Sequence, residues 1–188
     1  MRAFLGIPLP EEVREEISAQ VERLFSRLRG VKWVEKENYH ITLKFLGEVE
    51  EETAALLLKE VSTRASTFPP FSVDLSGFGA FPTLRSPRVI WVGIKSGGDL
   101  VGKLHEVIEE VAESRGFPRE AKKFHPHVTV GRVKRPGGGG LVLEKEDSLP
   151  FGRVRVDRFH LYRSTLTKAG PIYDIIGSVF LEGEEKKE

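Results

Sequence analysis

His40 and Thr42 stand two residues apart, and so do His127 and Thr129, in two copies of one tetrad, His40-Ile41-Thr42-Leu43 and His127-Val128-Thr129-Val130, offset by 87 residues. In a strand, residues two apart share a face. Each copy therefore turns an imidazole and a hydroxyl to one side and two apolar residues to the other. Imidazoles with an ordinary pKa of about 6.5 can divide acid and base duties near neutral pH, one protonated and one neutral. Two threonine hydroxyls can each donate to a non-bridging phosphate oxygen, a charge-assisted bond. The four groups together suit an in-line displacement at phosphorus in which the protein positions reactants and moves protons but supplies no nucleophile. Neither tetrad carries a carboxylate cluster of the kind that holds Mg²⁺, so the chemistry reads as metal-independent and free of cofactors. The substrate must then be reactive by itself, and a strained 2′,3′-cyclic phosphate meets that requirement better than a plain DNA phosphodiester.

The elements ahead of each tetrad repeat at the same offset. Gly6-Ile7 returns as Gly93-Ile94, and Val13, Ile17, Val21 and Leu24 return as Leu100, Leu104, Ile108 and Val111. Register holds without a gap across this stretch, as in a duplicated unit whose two lobes meet about a pseudo-twofold axis. Strands are expected at residues 2–8, 31–34, 39–46, 71–75, 88–95, 124–133, 153–163 and 172–181. Helices are expected at 10–29 with Gly30 as stop, at 50–65 with Leu56, Leu57 and Val61 inward, and at 99–115 with Asp99 as N-cap and Gly116 as stop. Short joins between many of these elements favour an α+β fold: bilobal and pseudo-twofold, with two mainly antiparallel sheets forming a central cleft and helices outside. Residues 1–181 form the single bilobal domain and residues 182–188 a frayed, charged tail.

Composition closes several routes. The chain of 188 residues has no cysteine, which removes disulfides, thiolate metal sites and a cysteine nucleophile. No apolar run is long enough to span a membrane, and the N-terminal stretch is too short and weakly basic for a signal peptide, so a cytoplasmic monomer is the expectation. Charged residues make up 30% with a single Met, a balance that leans towards a thermophile. The net charge is only +1, yet base collects at Lys122-Lys123, Arg132 to Arg135 and Arg153 to Arg163. Beside the second tetrad, such a field would favour an anionic partner such as RNA; equally, alternating arginines can be a solvated strand face.

The pattern resembles the two-histidine phosphoesterases, and more closely the LigT-type RNA 2′,3′-cyclic phosphodiesterases, also called 2′-5′ RNA ligases. The resemblance rests on the strand Met1 to Pro8, on Tyr39-His40-Ile41-Thr42-Leu43-Lys44-Phe45-Leu46-Gly47, on Pro126-His127-Val128-Thr129-Val130-Gly131-Arg132, and on Arg163-Ser164-Thr165-Leu166. It implies both tetrads lining one cleft. It also implies hydrolysis of RNA 2′,3′-cyclic phosphate ends to 2′-phosphate, with a reverse activity joining tRNA halves by a 2′-5′ bond. By the same likeness His40 would be the general acid at the leaving 3′-oxygen and His127 the general base on water. Thr42 and Thr129 would bind the phosphate, Arg132 would stand near it, and Phe45 would stack on the terminal base. Arg132 and Phe45 have the wrong parity for the tetrad face, so twist or a bulge must re-aim them; Lys44 has the right parity and reads as a cation at the cleft rim. Two other readings stand beside this one: a cyclic phosphodiesterase on small nucleotides or ADP-ribose cyclic phosphate, and a non-catalytic RNA- or nucleotide-binding module. Of the remaining histidines, His105 is expected to face solvent and His160 to be exposed or buried with equal ease. His125 is expected near substrate rather than on a metal, and Gly137 to Gly140 as a flexible connector.

Overall fold

The computed structural model describes residues 1–25, 27–134 and 146–185. Its elements in chain order are β1 (Arg2–Pro8), α1 (Glu11–Phe25), β2 (Val31–Trp33), a 3-10 turn (Lys36–Asn38), β3 (His40–Glu48), α2 (Glu51–Ala65), β4 (Phe71–Pro82), β5 (Pro87–Ser96), α3 (Gly98–Ser114), β6 (Val128–Val133), β7 (Glu146–Val156), β8 (Arg158–Thr167) and β9 (Gly170–Phe180). Adding 87 to β1, α1, β3 and β4 lands on β5, α3, β6 and β8. The sheet order obeys the same relation, running β7-β4-β5-β6 through one half and β3-β1-β8-β9 through the other, with β2 on β6. All pairings among the described residues are antiparallel.

The expected pair of sheets is present as these two halves, but hydrogen bonding joins them into one curled sheet. Among the described residues the join is a single pair, Ile41 with Val128, two residues that are themselves 87 apart. Beyond that point β2 takes the place beside β6, with the Val34 N–H donating to the Val130 carbonyl at 2.9 Å, and the cleft lies on the concave face of the curled sheet. The convex face carries the core, where the stripe Val13, Ile17 and Val21 of α1 and the stripe Val101, Leu104, Ile108 and Val111 of α3 are all buried. Spacing of three and four residues makes each stripe one helix face. In α2, Ala54, Leu57, Val61 and Ala65 are buried, whereas Leu56, one step round the helix from Leu57, is 47% exposed.

Several boundaries differ from expectation for local reasons. The second tetrad strand begins at Val128 rather than residue 124, because Pro126 has no N–H to give to a ladder. Residues 153–163 are not one strand: Asp157 separates β7 from β8, which lie in different halves of the sheet. The N-cap of α3 is Gly97, with φ 87°, and Asp99 lies within the first turn. Residues 182–185 are docked rather than frayed, with the Glu182 and Gly183 N–H groups donating to Ser66 and Phe68 carbonyls. The glycine run 137–140 and Arg135 lie outside the described residues.

Lys44 is the clearest correction. It is buried, 3% exposed, on the helix side of the sheet, where its ammonium pairs with Glu109 of α3 and donates to the Pro118 carbonyl at 3.2 Å. The second oxygen of Glu109 accepts from the Glu120 N–H at 3.1 Å. Burial pushes the Glu109 carboxyl up, but the hydrogen bonds from Lys44 and Glu120 outweigh it and hold the group below its ordinary range. Breaking a buried pair strands one charge, whereas replacing both members by apolar residues is nearly neutral. Lys44→Met is therefore expected to lower unfolding free energy by about 3–5 kcal/mol in urea titrations, and Lys44→Met/Glu109→Leu to recover most of that loss; equal losses in the two variants would show that the charges are not coupled.

Candidate active site

Strand parity places the tetrads. Ile41, Leu43, Val128 and Val130 are buried in the core, so His40 and Thr42 of β3 and Thr129 of β6 face the concave side with His127, which stands just ahead of β6. Parity then changes in both strands at equivalent places. Leu5 pairs with Lys44 and Gly6 with Thr42, which leaves Leu43 as an extra residue. Ile90 pairs with Gly131 and Trp91 with Thr129, which leaves Val130 as an extra residue. A bulge of one residue moves the following side chain to the opposite face. It sends Lys44 inward and brings Phe45, 58% exposed, and Arg132 to the cleft. His40, Thr42, Phe45, His127, Thr129 and Arg132 accordingly line one cavity of about 830 Å³.

Each imidazole is held the same way. His40 Nδ1 lies 2.7 Å from the Asn38 carbonyl and His127 Nδ1 lies 2.6 Å from the His125 carbonyl, again residues 87 apart. A carbonyl only accepts, so Nδ1 carries the proton in both rings and Nε2 is the titrating atom. His40 Nε2 lies 2.8 Å from Thr42 Oγ1, which donates to it while the ring is neutral. Among the described residues no protein group bonds to His127 Nε2. The side chain of Asn38 also donates to the Pro171 carbonyl at 3.0 Å, tying the residue that holds His40 to the start of β9.

Aromatic rings supply the walls. Phe4 stacks on His40 at 4.8 Å and on Tyr162 at 5.0 Å, and Tyr173 stands edge-on to His40 at 5.4 Å. Gly6 makes room for this packing, since a Cβ there would come within 3.1 Å of the His40 ring. On the other side Phe81 stands edge-on to His127 at 5.1 Å. Burial among these groups lowers the His40 pKa to about 4, against the hydrogen bond to Asn38, with His127 and Arg132 adding to the decrease. Burial also lowers His127, with His125 and Arg132 contributing. Both imidazoles are thus neutral near pH 7 in the empty cleft.

The cations sort themselves differently from the sequence pattern. Arg153 pairs with Asp74 at 2.9 Å, Arg158 with Asp157 at 2.9 Å and Arg163 with Asp174 at 3.5 Å, and Arg155 pairs with Glu185, so that stretch is largely neutralised. Arg2, Lys32 and Arg132 line the cleft instead. Lys32 carries no motif, and neither do Trp33, Phe81 or Tyr173, which also line it, whereas Arg2 belongs to the N-terminal strand on which the resemblance rests. Asn38 and His125 carry a usable signal, each standing two residues before a tetrad histidine. His105 does not face solvent: it is 8% exposed, stacks on Phe124 at 3.9 Å, and Nδ1 lies 2.8 Å from the Leu43 carbonyl. His160 is likewise buried, against Ser178 Oγ at 2.7 Å. Among the described residues no group of three or more His, Asp and Glu side chains converges as metal ligands would, and no helix is long and apolar enough to cross a membrane.

A curled antiparallel sheet with one His-Thr pair from each half, facing each other across a cationic cleft, defines a LigT-like phosphoesterase. The model of that family matches residues 7–91 and again 92–173, and the chain belongs to it. It is 41% identical over 184 residues to the RNA 2′,3′-cyclic phosphodiesterase of Thermotoga maritima, covering 97% of both chains. It is 42% identical over 174 residues to the protein of that name from Archaeoglobus fulgidus, covering 92% of this chain and 96% of the relative. Among solved structures, a Thermus thermophilus protein superposes with a TM-score of 0.81 at 33% identity, over 98% of this chain and 100% of that one. LigT of E. coli in complex with 3′-AMP superposes with a TM-score of 0.81 at 27% identity, over 96% and 97% of the two chains.

The depressed His40 pKa has a consequence for stability. Its folded value of about 4 lies below the ordinary 6.5, so between these values the unfolded chain binds a proton that the folded chain refuses, and the stability contributed above pH 6.5 is lost as pH falls. From pH 7 to pH 5 the wild type should lose about 2 kcal/mol more than His40→Gln, measured by urea unfolding of both proteins. A parallel pH dependence in the two would contradict the assigned burial.

Proposed function

We propose that the chain hydrolyses RNA ends bearing a 2′,3′-cyclic phosphate to a 2′-phosphate, without a metal or other cofactor. In this reading His127 Nε2 takes a proton from water as the oxygen attacks phosphorus, and His40 Nε2 gives a proton to the departing 3′-oxygen. Thr42 and Thr129 donate to the non-bridging oxygens, Arg132 balances their charge, and Phe45 stacks on the terminal base. With the 5′-hydroxyl of a second RNA in the place of water, the same transfers form a 2′-5′ bond, and tRNA halves are substrates of that shape. The chain acts as one bilobal unit and as a monomer.

The observation that carries the reading is the matched restraint of the two imidazoles. Each is anchored through Nδ1 to the carbonyl two residues upstream, which leaves two Nε2 atoms for one cleft that also holds two threonines and an arginine. The names of the relatives point to the same substrate. A cleft of about 830 Å³ with cations along it suits a polynucleotide end better than a small cyclic nucleotide.

Because both rings are neutral in the empty cleft, the acid must take up its proton along with the phosphate, whose negative charge favours the imidazolium. The activity requires one protonated ring, so kcat/KM, which reports the free enzyme, should decline at lower pH than kcat, which reports the complex. Coincident descending limbs would argue against phosphate-linked protonation. In EDTA, a cyclic-phosphate oligonucleotide should be converted to the 2′-phosphate, and His40→Ala or His127→Ala should each slow that conversion by about 10²–10⁴-fold. A 3′-phosphate product or complete inhibition by EDTA would sink the proposal, and variants as fast as wild type would leave only a binding module.

A further inference from the structure

One buried side chain of α3 reaches the bulge of β3 from behind. Leu43, the extra residue of that bulge, has no partner on β1, and its carbonyl lies 2.8 Å from His105 Nδ1. A carbonyl only accepts, so Nδ1 carries the proton and donates. The ring is held in turn by Phe124, which stacks on it at 3.9 Å with the two planes within 4° of parallel. Phe124 directly precedes His125, whose carbonyl anchors His127. His105 thus touches the strand of the first tetrad by a hydrogen bond and the approach to the second by a stack.

The two halves of the sheet do not share this device. At the offset of 87 residues the counterpart of His105 is Ser18 on α1, and the Val130 carbonyl is met by backbone, from the Val34 N–H. The position after the extra residue also differs. In β6 it is Gly131, with no side chain to aim; in β3 it is Lys44, which has to be kept on the helix side. The pair with Glu109 favours that side, but a flexible four-carbon stem reaches a carboxylate from a range of backbone positions. The His105 bond acts on the backbone itself. Without it the Leu43 carbonyl is a buried acceptor with no donor, and a regular ladder, which would absorb that carbonyl, becomes the less costly arrangement. A regular ladder reverses the side chains that follow, sending Lys44 to the cleft and Phe45 towards the helices.

We propose that His105 is a positioning residue for substrate: by donating to the Leu43 carbonyl it fixes the bulge that keeps Phe45 at the cleft, and so sets the affinity for the terminal nucleoside of the RNA. This role rests on the reading of Phe45 as the ring that stacks on the terminal base. Phe45 is exposed, with the buried Phe4 ring 5.9 Å behind it as support. His105 itself lies on the helix side of the sheet and touches no reacting atom, so its loss weakens binding and leaves the proton transfers at His40 and His127 as they are.

Two substitutions separate the bond from the stack. His105→Phe keeps a ring against Phe124 and loses the donor, whereas His105→Asn keeps an N–H near the place of Nδ1 and loses the ring. With a cyclic-phosphate oligonucleotide, KM is expected to rise about tenfold in His105→Phe and to a similar degree in Phe45→Ala, the size of one base–aromatic stack, while kcat stays within about twofold of wild type. His105→Leu, which loses the donor without adding volume, should behave as His105→Phe does. His105→Asn should keep both constants within about twofold of wild type. In Phe45→Ala/His105→Phe, KM should rise no further than in either single variant, because one stack cannot be lost twice. A raised KM in Phe45→Ala beside an unchanged KM in both donor-less variants would overturn the role of His105 alone. So would a loss in kcat rather than KM, full additivity in the double variant, or a KM raised as much by His105→Asn as by His105→Phe. An unchanged KM in Phe45→Ala would instead remove base stacking, and this role with it.

Discussion

Among the described residues Ile41 and Val128 form the only backbone pair between β3 and β6, and it joins the two halves of the sheet whose concave face is the cleft. Past it the same side of β6 is taken by β2, from Val31 opposite Val133 to Trp33 opposite Gly131, so no longer ladder with β3 forms. Without the pair the halves would be separate sheets, free to shift against each other. Because the two residues are equivalent under the 87-residue offset, the point where they meet marks the pseudo-twofold axis. Each imidazole and each hydroxyl is then one residue along the chain from an atom near that axis. Short covalent paths from a shared backbone hydrogen-bonded pair position four polar groups more tightly than loops could.

A bulge follows in each strand, and each leaves a carbonyl outside the regular ladder that must find a donor. The two halves solve this differently. The Leu43 carbonyl accepts from the buried side chain of His105, whereas the Val130 carbonyl accepts from the Val34 N–H at 2.9 Å. The residue brought to the cleft differs as well, Phe45 from one half and Arg132 from the other. A symmetric frame thus presents an apolar ring on one side and a positive charge on the other, which suits a substrate with a base at one end and a phosphate at the other.

Much of this arrangement is legible in the sequence. The offset of the tetrads and the parity of His-x-Thr place two imidazoles and two hydroxyls on one face, because strand periodicity is local and strict. Boundaries are less accessible. The break at Asp157 lies within a run of alternating residues that reads as continuous, and only tertiary pairing sends β7 and β8 to different halves. Lys44 escapes for a related reason. Its parity, counted through Leu43 as though the strand were regular, points to the cleft, and nothing in Leu43-Lys44-Phe45 announces a bulge. His105 sits at the margin of a helical stripe, where periodicity alone does not say what the neighbouring sheet will cover. The cations of the cleft, Arg2 and Lys32, come from strands distant in sequence, whereas the conspicuous arginines of β7 and β8 find carboxylates nearby.

The carbonyls of Asn38 and His125 do more than orient two rings. With Nδ1 committed to backbone on either side, neither imidazole can pass a proton through itself to the protein interior, as a ring bonded to water or a carboxylate could. Every proton that enters or leaves does so by Nε2, through the same opening that admits substrate. Proton exchange with either ring is therefore confined to the cleft side of the sheet.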